Sequence, residues 1–381
     1  MLPYVFRPFP KSGYIRTLAL EPGAYDDDIV IHMSRVPFDP AHPPYYEALS
    51  YFWGSNTNKK PIYVGKQGGS IIMVTRNLEV ALRHLRPRHG SSRIMWIDAI
   101  CINQADDEEK GPQVAKMGQI FKHAARVTAW LGPEQNSSDQ AMRLMGYLGS
   151  QVSVAWPPFH GSSIPWSMRP TPTAFDKSLG DKMSYLPFSY PETQSIYHLL
   201  SRRWFRRLWV RQEIFLATGK AVLVCGSFAT PWALFRNAMV SIYCKPCHKV
   251  PRGWSRLKTT LSSFIFQTFP VRITTIRQLF DGSECRDSRD RIYAILDLLH
   301  DLDRRLNIQP DYTKSTASVY KCLTRMYIEK SRSVKILQDC QIDTNIKNTS
   351  WVPDWTAKLE TEQFTTMFAS SQLASDFVLR I

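Results

Sequence analysis

The residues in this sequence best placed to do chemistry are two carboxylates in apolar company, Glu213 and Asp98. Glu213 lies in SRRWFRRLWVRQEIFLA, within a stretch whose spacing predicts a helix from Gln194 to about Thr218. On such a helix it shares a face with Trp209 at i−4, Leu216 at i+3 and Ala217 at i+4. A charge kept in that setting is costly unless it is paired or used. Two readings follow. Glu213 either stabilises positive charge in a reacting ligand, as carboxylates do in glycoside hydrolysis, or is an architectural anion fixed by Arg206, Arg207 or another nearby arginine. Asp98 sits near the end of RIMWIDAICI, Arg93 to Ile102, where apolar residues run almost without alternation as in a buried strand. Ligands of open α/β sheets bind at such carboxyl ends, but a cap or a buried salt bridge would use the same residue.

A second strand end supplies neighbours. YEALSYFWG closes a short apolar run with Gly54, so Ser50, Tyr51, Trp53 and Gly54 would line one edge with Asp98. Trp53 could stack on a base or fill the core. The basic run Arg202, Arg203, Arg206, Arg207 and Arg211 suits a diphosphate, an acidic partner or a solvated helical face. Cys244-Lys-Pro-Cys247-His248 matches a haem-attachment pattern and half a zinc site, but no second close cysteine pair follows to close a four-ligand set. We therefore expect no metal. Neither G-x-S-x-G nor G-x-x-x-x-G-K occurs, and no zinc finger, RNA-recognition motif or other nucleic-acid reader is evident.

The elements that must position these residues alternate. Strands are expected at Ile15 to Leu20, Ile29 to Met33, Tyr46 onward, Arg93 to Ile102, VTAWLG and KAVLVCG, with a hairpin turning at Gly68 and Gly69. Helices are expected from Arg76 to Leu85, over QVAKMGQIFKHAA and from Ser137-Ser138-Asp139. Because proline is comfortable only in a first helical turn, the QVAKMGQIFKHAA helix should begin at Pro112 rather than at Asp106. Residues 1–39 read as a lead-in and 40–226 as an α/β domain interrupted by a proline-rich insertion at about 151–192. Residues 227–381 read as a mainly helical extension that includes DRIYAILDLLH and STASVYKCLTRMYIEKS.

Composition limits what this framework can be. With 44% hydrophobic residues over 381 positions, the chain can bury a sizeable core, which excludes a disordered protein. The net charge of +15 favours an anionic partner of some kind. No apolar run reaches the roughly 18 residues a membrane span needs, and MLPYVFRPFPKSG does not read as a secretion signal. Seven scattered cysteines fit a reducing compartment, so a cytoplasmic location is expected.

Three blocks, YEALSYFWG (Tyr46 to Gly54), Trp96 to Gly132 and WFRRLWVRQE (Trp204 to Glu213), resemble in order and spacing the signature blocks of the fungal heterokaryon-incompatibility (HET) domain. RDSRDRIYAILDLL and SWVPDW resemble segments that often follow it, so the likeness covers about residues 45 to 355. This resemblance implies a role in non-self recognition and programmed cell death, with self-association and an incompatibility partner protein. The family is in turn remotely similar to TIR domains of innate immunity. That likeness implies a three-layer flavodoxin-like sheet with helices on both faces and cleavage of NAD as substrate, with no permanently bound cofactor. Glu213 would then be the catalytic carboxylate facing a ribosyl centre, and Ser50, Tyr51, Trp53, Gly54, Asp98, Arg207 and Trp209 would contact NAD. The alternative within the same pathway is a non-catalytic signalling module.

Overall fold

Strands whose residues are apolar on both faces must be covered on both faces, and four of them form the centre of this molecule. They are β3 (Glu47–Tyr51), β6 (Arg93–Trp96), β7 (Arg126–Gly132) and β10 (Ala221–Cys225), numbered along the chain with β1 (Tyr14–Leu20), β2 (Val30–Pro37), β4 (Lys59–Val64) and β5 (Ser70–Thr75). All belong to a computed structural model that describes residues 2–65, 69–156, 167–217, 219–265, 270–340 and 351–357. The four central strands are mutually parallel and lie side by side as β10-β7-β3-β6. In chain order this places the second strand beside the first, then the third and fourth, which is the flavodoxin-like arrangement.

Helices cover both faces. The N-cap Thr75 starts α1 (Arg76–Leu85) by accepting the Leu78 N–H, in agreement with the expected bounds. On its face of the sheet Arg93 donates to Leu85 O, and His84 packs against Trp130 with ring centroids 5.0 Å apart. On the other face Trp96 meets Phe121 edge-on at 5.7 Å, and Tyr46 donates to Ile120 O at 2.7 Å. Both contacts involve α4 (Met117–His123), which follows α2 (Asp98–Cys101) and α3 (Asp107–Val114). Beyond β6 the sheet continues through β1, β2 and the β4–β5 hairpin, and beyond β10 it adds the antiparallel β11 (Phe228–Pro231), nine strands in all among the described residues. Strands β1 and β2, in the stretch read as a lead-in, are thus interior members of the same sheet. Of the expected turn pair, Gly68 falls outside the described residues.

Several local expectations are corrected. The strand read as Arg93 to Ile102 stops at Trp96, and Asp98–Cys101 forms a helical turn in which Ile100 and Cys101 donate to Ile97 O. An unbroken apolar run does not distinguish a buried strand from a buried helical turn. The helix expected to begin at Pro112 begins at Asp107, because Asp106 caps it by accepting the N–H groups of Glu108 and Glu109 at 3.1 Å. Pro112 cannot donate back to Glu108, and α3 ends two residues later, so the predicted single helix is split between α3 and α4. After α5 (Ser138–Gln151), the proline-rich insertion contains an antiparallel pair, β8 (Val152–Ala155) and β9 (Ser167–Pro170). It ends in the capping box of Ser189 and Glu192 that starts α6 (Tyr190–Leu200).

The long helix expected from Gln194 to Thr218 is broken into α6, a 3-10 turn at Arg203–Arg206 and α7 (Val210–Phe215). Glu284 N donates to Arg206 O at 2.6 Å and Leu208 N donates to Glu284 O at 2.9 Å. A backbone paired in this way cannot also carry the helical ladder. Past β11 (Phe228–Pro231) come α8 (Trp232–Cys244), α9 (Trp254–Ile265), α10 (Ile276–Leu279), α11 (Asp290–Tyr293), α12 (Asp301–Arg304) and α13 (Thr316–Ser331). DRIYAILDLLH is only α11 and a following 3-10 turn, whereas the STASVYKCLTRMYIEKS helix is α13.

Helices α5 and α8 approach through Gly149, where a Cβ would lie 1.9 Å from Leu234 O and 2.5 Å from its carbonyl carbon. Only a backbone shift relieves such a clash. Gly149→Ala should lower stability by about 1–3 kcal/mol, the usual cost of overpacking. Urea unfolding checks this, and an unchanged midpoint would show that the helices are not held at this distance.

Candidate functional site

The carboxyl ends of β3 and β6 bring the sequence candidates together in two layers. In the deeper layer Ser50, fully buried on β3, donates to Glu213 Oε2 and accepts the Trp204 indole N–H at 2.9 Å. Glu213 is 1% exposed. Its other oxygen lies 3.8 Å from an Arg207 amino group that also donates to Tyr51 O. Burial pushes the Glu213 carboxyl up to about 7, against the opposing pull of Arg207. The ion pair is too long and too shared to offset the loss of water, so desolvation dominates. Tyr51 is buried in the same layer, and its hydroxyl has no hydrogen-bond partner among the described residues.

The outer layer faces a cleft of about 1040 Å³, at the upper limit of the size of ligand sites. Asp98 stands two residues beyond the end of β6, at the start of α2. Its Oδ2 accepts the Trp53 indole N–H at 2.8 Å and its Oδ1 accepts the Ala99 N–H at 2.7 Å. Burial raises its pKa, with Arg207 and the Trp53 bond opposing. Gly54 turns the chain with φ of 79°, a conformation that costs a side-chain-bearing residue strain. Trp53, Gly54, Asp98, Arg207 and Trp209 all line the cleft, whereas Ser50, Tyr51 and Glu213 lie behind its wall.

The C-terminal region supplies a further wall that sequence reasoning did not assign. Asp290 accepts the Trp209 indole N–H at 3.0 Å through one oxygen and the Tyr312 hydroxyl at 2.7 Å through the other. Burial raises its carboxyl to about 6. Lys110 stands 3.9 Å from the Tyr312 ring centroid. The RDSRDR block was visible as a motif, but its use depends on a chain separation of 81 residues between Trp209 and Asp290 that local spacing does not encode.

The arginine run is dispersed rather than forming one face. Arg202 donates to the carbonyls of Leu131 and Pro133, Arg203 lies over Phe52, Arg211 is buried over Phe264 at 3.5 Å, and Arg207 alone of the five lines the cleft. His248 stacks on Tyr185 at 4.3 Å, and among the described residues no group of three or more His, Cys, Asp or Glu could hold a metal. Nor is any described helix long and apolar enough to cross a membrane.

The arrangement is that of a flavodoxin-ordered α/β domain with a ligand-sized cleft at its parallel strand ends. Residues 46–213 match the family model of the heterokaryon incompatibility protein (HET). Over 404 aligned residues it is 29% identical to heterokaryon incompatibility protein 6, OR allele, of Neurospora crassa, covering 91% of this chain. The chain spans 58% of the length of that curated relative. No solved structure matches it.

A carboxyl raised from 4.5 in the unfolded chain to about 7 in the folded one makes the native state bind more protons between those values, so stability falls as pH rises through that window. The contribution of Glu213 to that fall is about 3 kcal/mol at most. Urea unfolding from pH 4.5 to 8 should show stability declining, with the decline smaller in Glu213→Gln. Identical slopes in the two proteins would mean that folding leaves the Glu213 carboxyl at its unfolded value.

Proposed function

We propose that the chain acts in non-self recognition and programmed cell death between incompatible fungal cells, by binding NAD in the cleft and cleaving its nicotinamide glycosidic bond. The observation that carries this reading is the placement of Asp98 and Arg207 together on a cleft at the carboxyl ends of β3 and β6. Trp53 and Trp209 offer aromatic surface to a base, and Arg207 offers a guanidinium to a phosphate. In the reaction, water adds to the ribosyl C1′ as the carbon–nitrogen bond breaks. Nicotinamide leaves neutral with the bonding pair, and the proton of the attacking water passes to solvent. A carboxylate beside C1′ stabilises the cationic transition state.

Asp98 is the carboxylate that reaches the ligand in this reading. Glu213 acts from behind it by holding Arg207 and Ser50. NAD is consumed as substrate rather than kept as a cofactor, self-association of the domain in the cytoplasm switches the activity on, and an incompatibility partner protein supplies the trigger. A non-catalytic signalling module is the second reading, and the cover over Glu213 favours it, since a carboxylate that acts directly on substrate must be reachable.

Nicotinamide release by the purified chain at high concentration, compared with Asp98→Asn and Glu213→Gln, separates the two. Release by wild type that falls at least about a hundredfold in Asp98→Asn supports catalysis, on the scale seen when a charge-stabilising group is removed. Glu213→Gln should retain more activity than Asp98→Asn. No release from a folded, self-associating wild type would leave the signalling module.

A further inference from the structure

Two tryptophans on the cleft are each held through the indole N–H by a buried carboxylate: Trp53 by Asp98 and Trp209 by Asp290. The first pair lies within the α/β domain. The second joins α7 to α11 and extends to Tyr312, whose hydroxyl fills the remaining Asp290 oxygen. All three members of this array line the cleft and all are buried, with Asp290 and Trp209 9% exposed and Tyr312 4%. A carboxylate with both oxygens bonded fixes the orientation of two rings at once.

The surrounding contacts hold the array against the sheet. Backbone bonds pair Glu284 with Arg206 and Leu208, on either side of Arg207. Arg289 donates to both oxygens of Asp287 and to the carbonyls of Tyr312 and Lys314, which ties the Asp287–Asp290 segment to the Tyr312 loop. With the Asn56 amide turned so that its oxygen faces the guanidinium, Arg286 donates to that oxygen at 2.6 and 3.1 Å. None of Asp287, Asp290 and Tyr312 falls within residues 46–213, the part of the chain that matches the family model.

We propose that Asp290 and Tyr312 are positioning residues of the nucleotide cleft, and that the C-terminal region is therefore a built-in half of the binding site that sets which ligand it accepts. This rests on the reading of the cleft as an NAD site. Asp290 orients Trp209, and Tyr312 closes the array, so that the two rings present a fixed wall to a planar base. Losing either hydrogen bond frees a ring and lowers affinity for ligands that reach that wall more than for those that do not.

The experiment is titration of the full chain with NAD, ADP-ribose and nicotinamide mononucleotide, read by tryptophan fluorescence, for wild type, Tyr312→Phe and Asp290→Asn. Tyr312→Phe removes one hydroxyl, and Asp290→Asn keeps the shape of the carboxylate without its charge. We expect both variants to weaken NAD binding by about tenfold, the loss of one charge-assisted hydrogen bond. At least one of the two shorter ligands should be weakened much less, which changes the preference between ligands. Wild type that binds none of the three overturns the NAD reading and this inference with it. Wild type that binds, with both variants matching it, overturns the inference alone. So does an equal loss for all three ligands with a lowered thermal midpoint, because that is the signature of a merely structural role.

Discussion

Everything around the cleft depends on how one guanidinium is held. Arg207 donates to the backbone of β3 at Tyr51 and faces the buried Glu213 on α7, and the backbone on either side of it pairs with Glu284 from the C-terminal region. Sheet, helix and C-terminal region therefore meet at a single residue. Its buried acceptors, the Tyr51 carbonyl and the Glu213 carboxylate, have it as their nearby cation. The break between α6 and α7 follows from the same constraint. A continuous helix through residues 206–208 would have no free backbone groups for Glu284, and the wall carrying Asp290 would not be tied there.

Charge on the cleft differs from charge on the chain. The molecule carries an excess of 15 positive charges, but the cleft wall sets Lys59, Lys110, Arg207 and Arg286 against Asp98, Glu284, Asp287 and Asp290. A formally balanced wall does not collect anions through a long-range field; it discriminates by where each charge stands. Raised pKa values at Asp98 and Asp290 push this balance toward positive as pH falls, since protonation removes carboxylate charge. The basic excess must therefore lie mostly on other surfaces, and it gives no information about what the cleft holds.

Much of this was legible in the sequence because it was local. The α1 helix has its polar cap, apolar stripe and end within ten residues, and its bounds were read correctly. The strands β3, β7 and β10 are short apolar runs closed by polar or glycine residues, and the grouping of Trp53 with Asp98 followed from placing strand ends together, whereas Arg207 joined them only through the family resemblance. What was not legible was set by partners far along the chain. Glu213 was read as sharing a helical face with Trp209, but its covering comes from Ser50, 163 residues away, and the Trp209 indole turns instead to Asp290. The preference of proline for a first helical turn suggested a helix start at Pro112, and the apolar spacing could not exclude it, because the competing cap at Asp106 and the split into α3 and α4 are both compatible with the same pattern of apolar residues.

The limits of the family match and the limits of the folded unit are set by different physics. The match runs from Tyr46, the residue before β3, to Glu213 on α7, the span that contains the deep layer of the site. The sheet that carries this span needs more. Strand β7 pairs with β10 on the side away from β3, and β6 pairs with β1 on the side away from β3. A chain cut to residues 46–213 would leave both of these as open edges with unpaired backbone groups, a state that favours association with other strands. The outer cleft wall would be missing as well, since Asp290 and Tyr312 lie beyond the cut. A motif marks the residues packed around the shared carboxylate; the folded unit is the one that closes the sheet edges and completes the cleft wall.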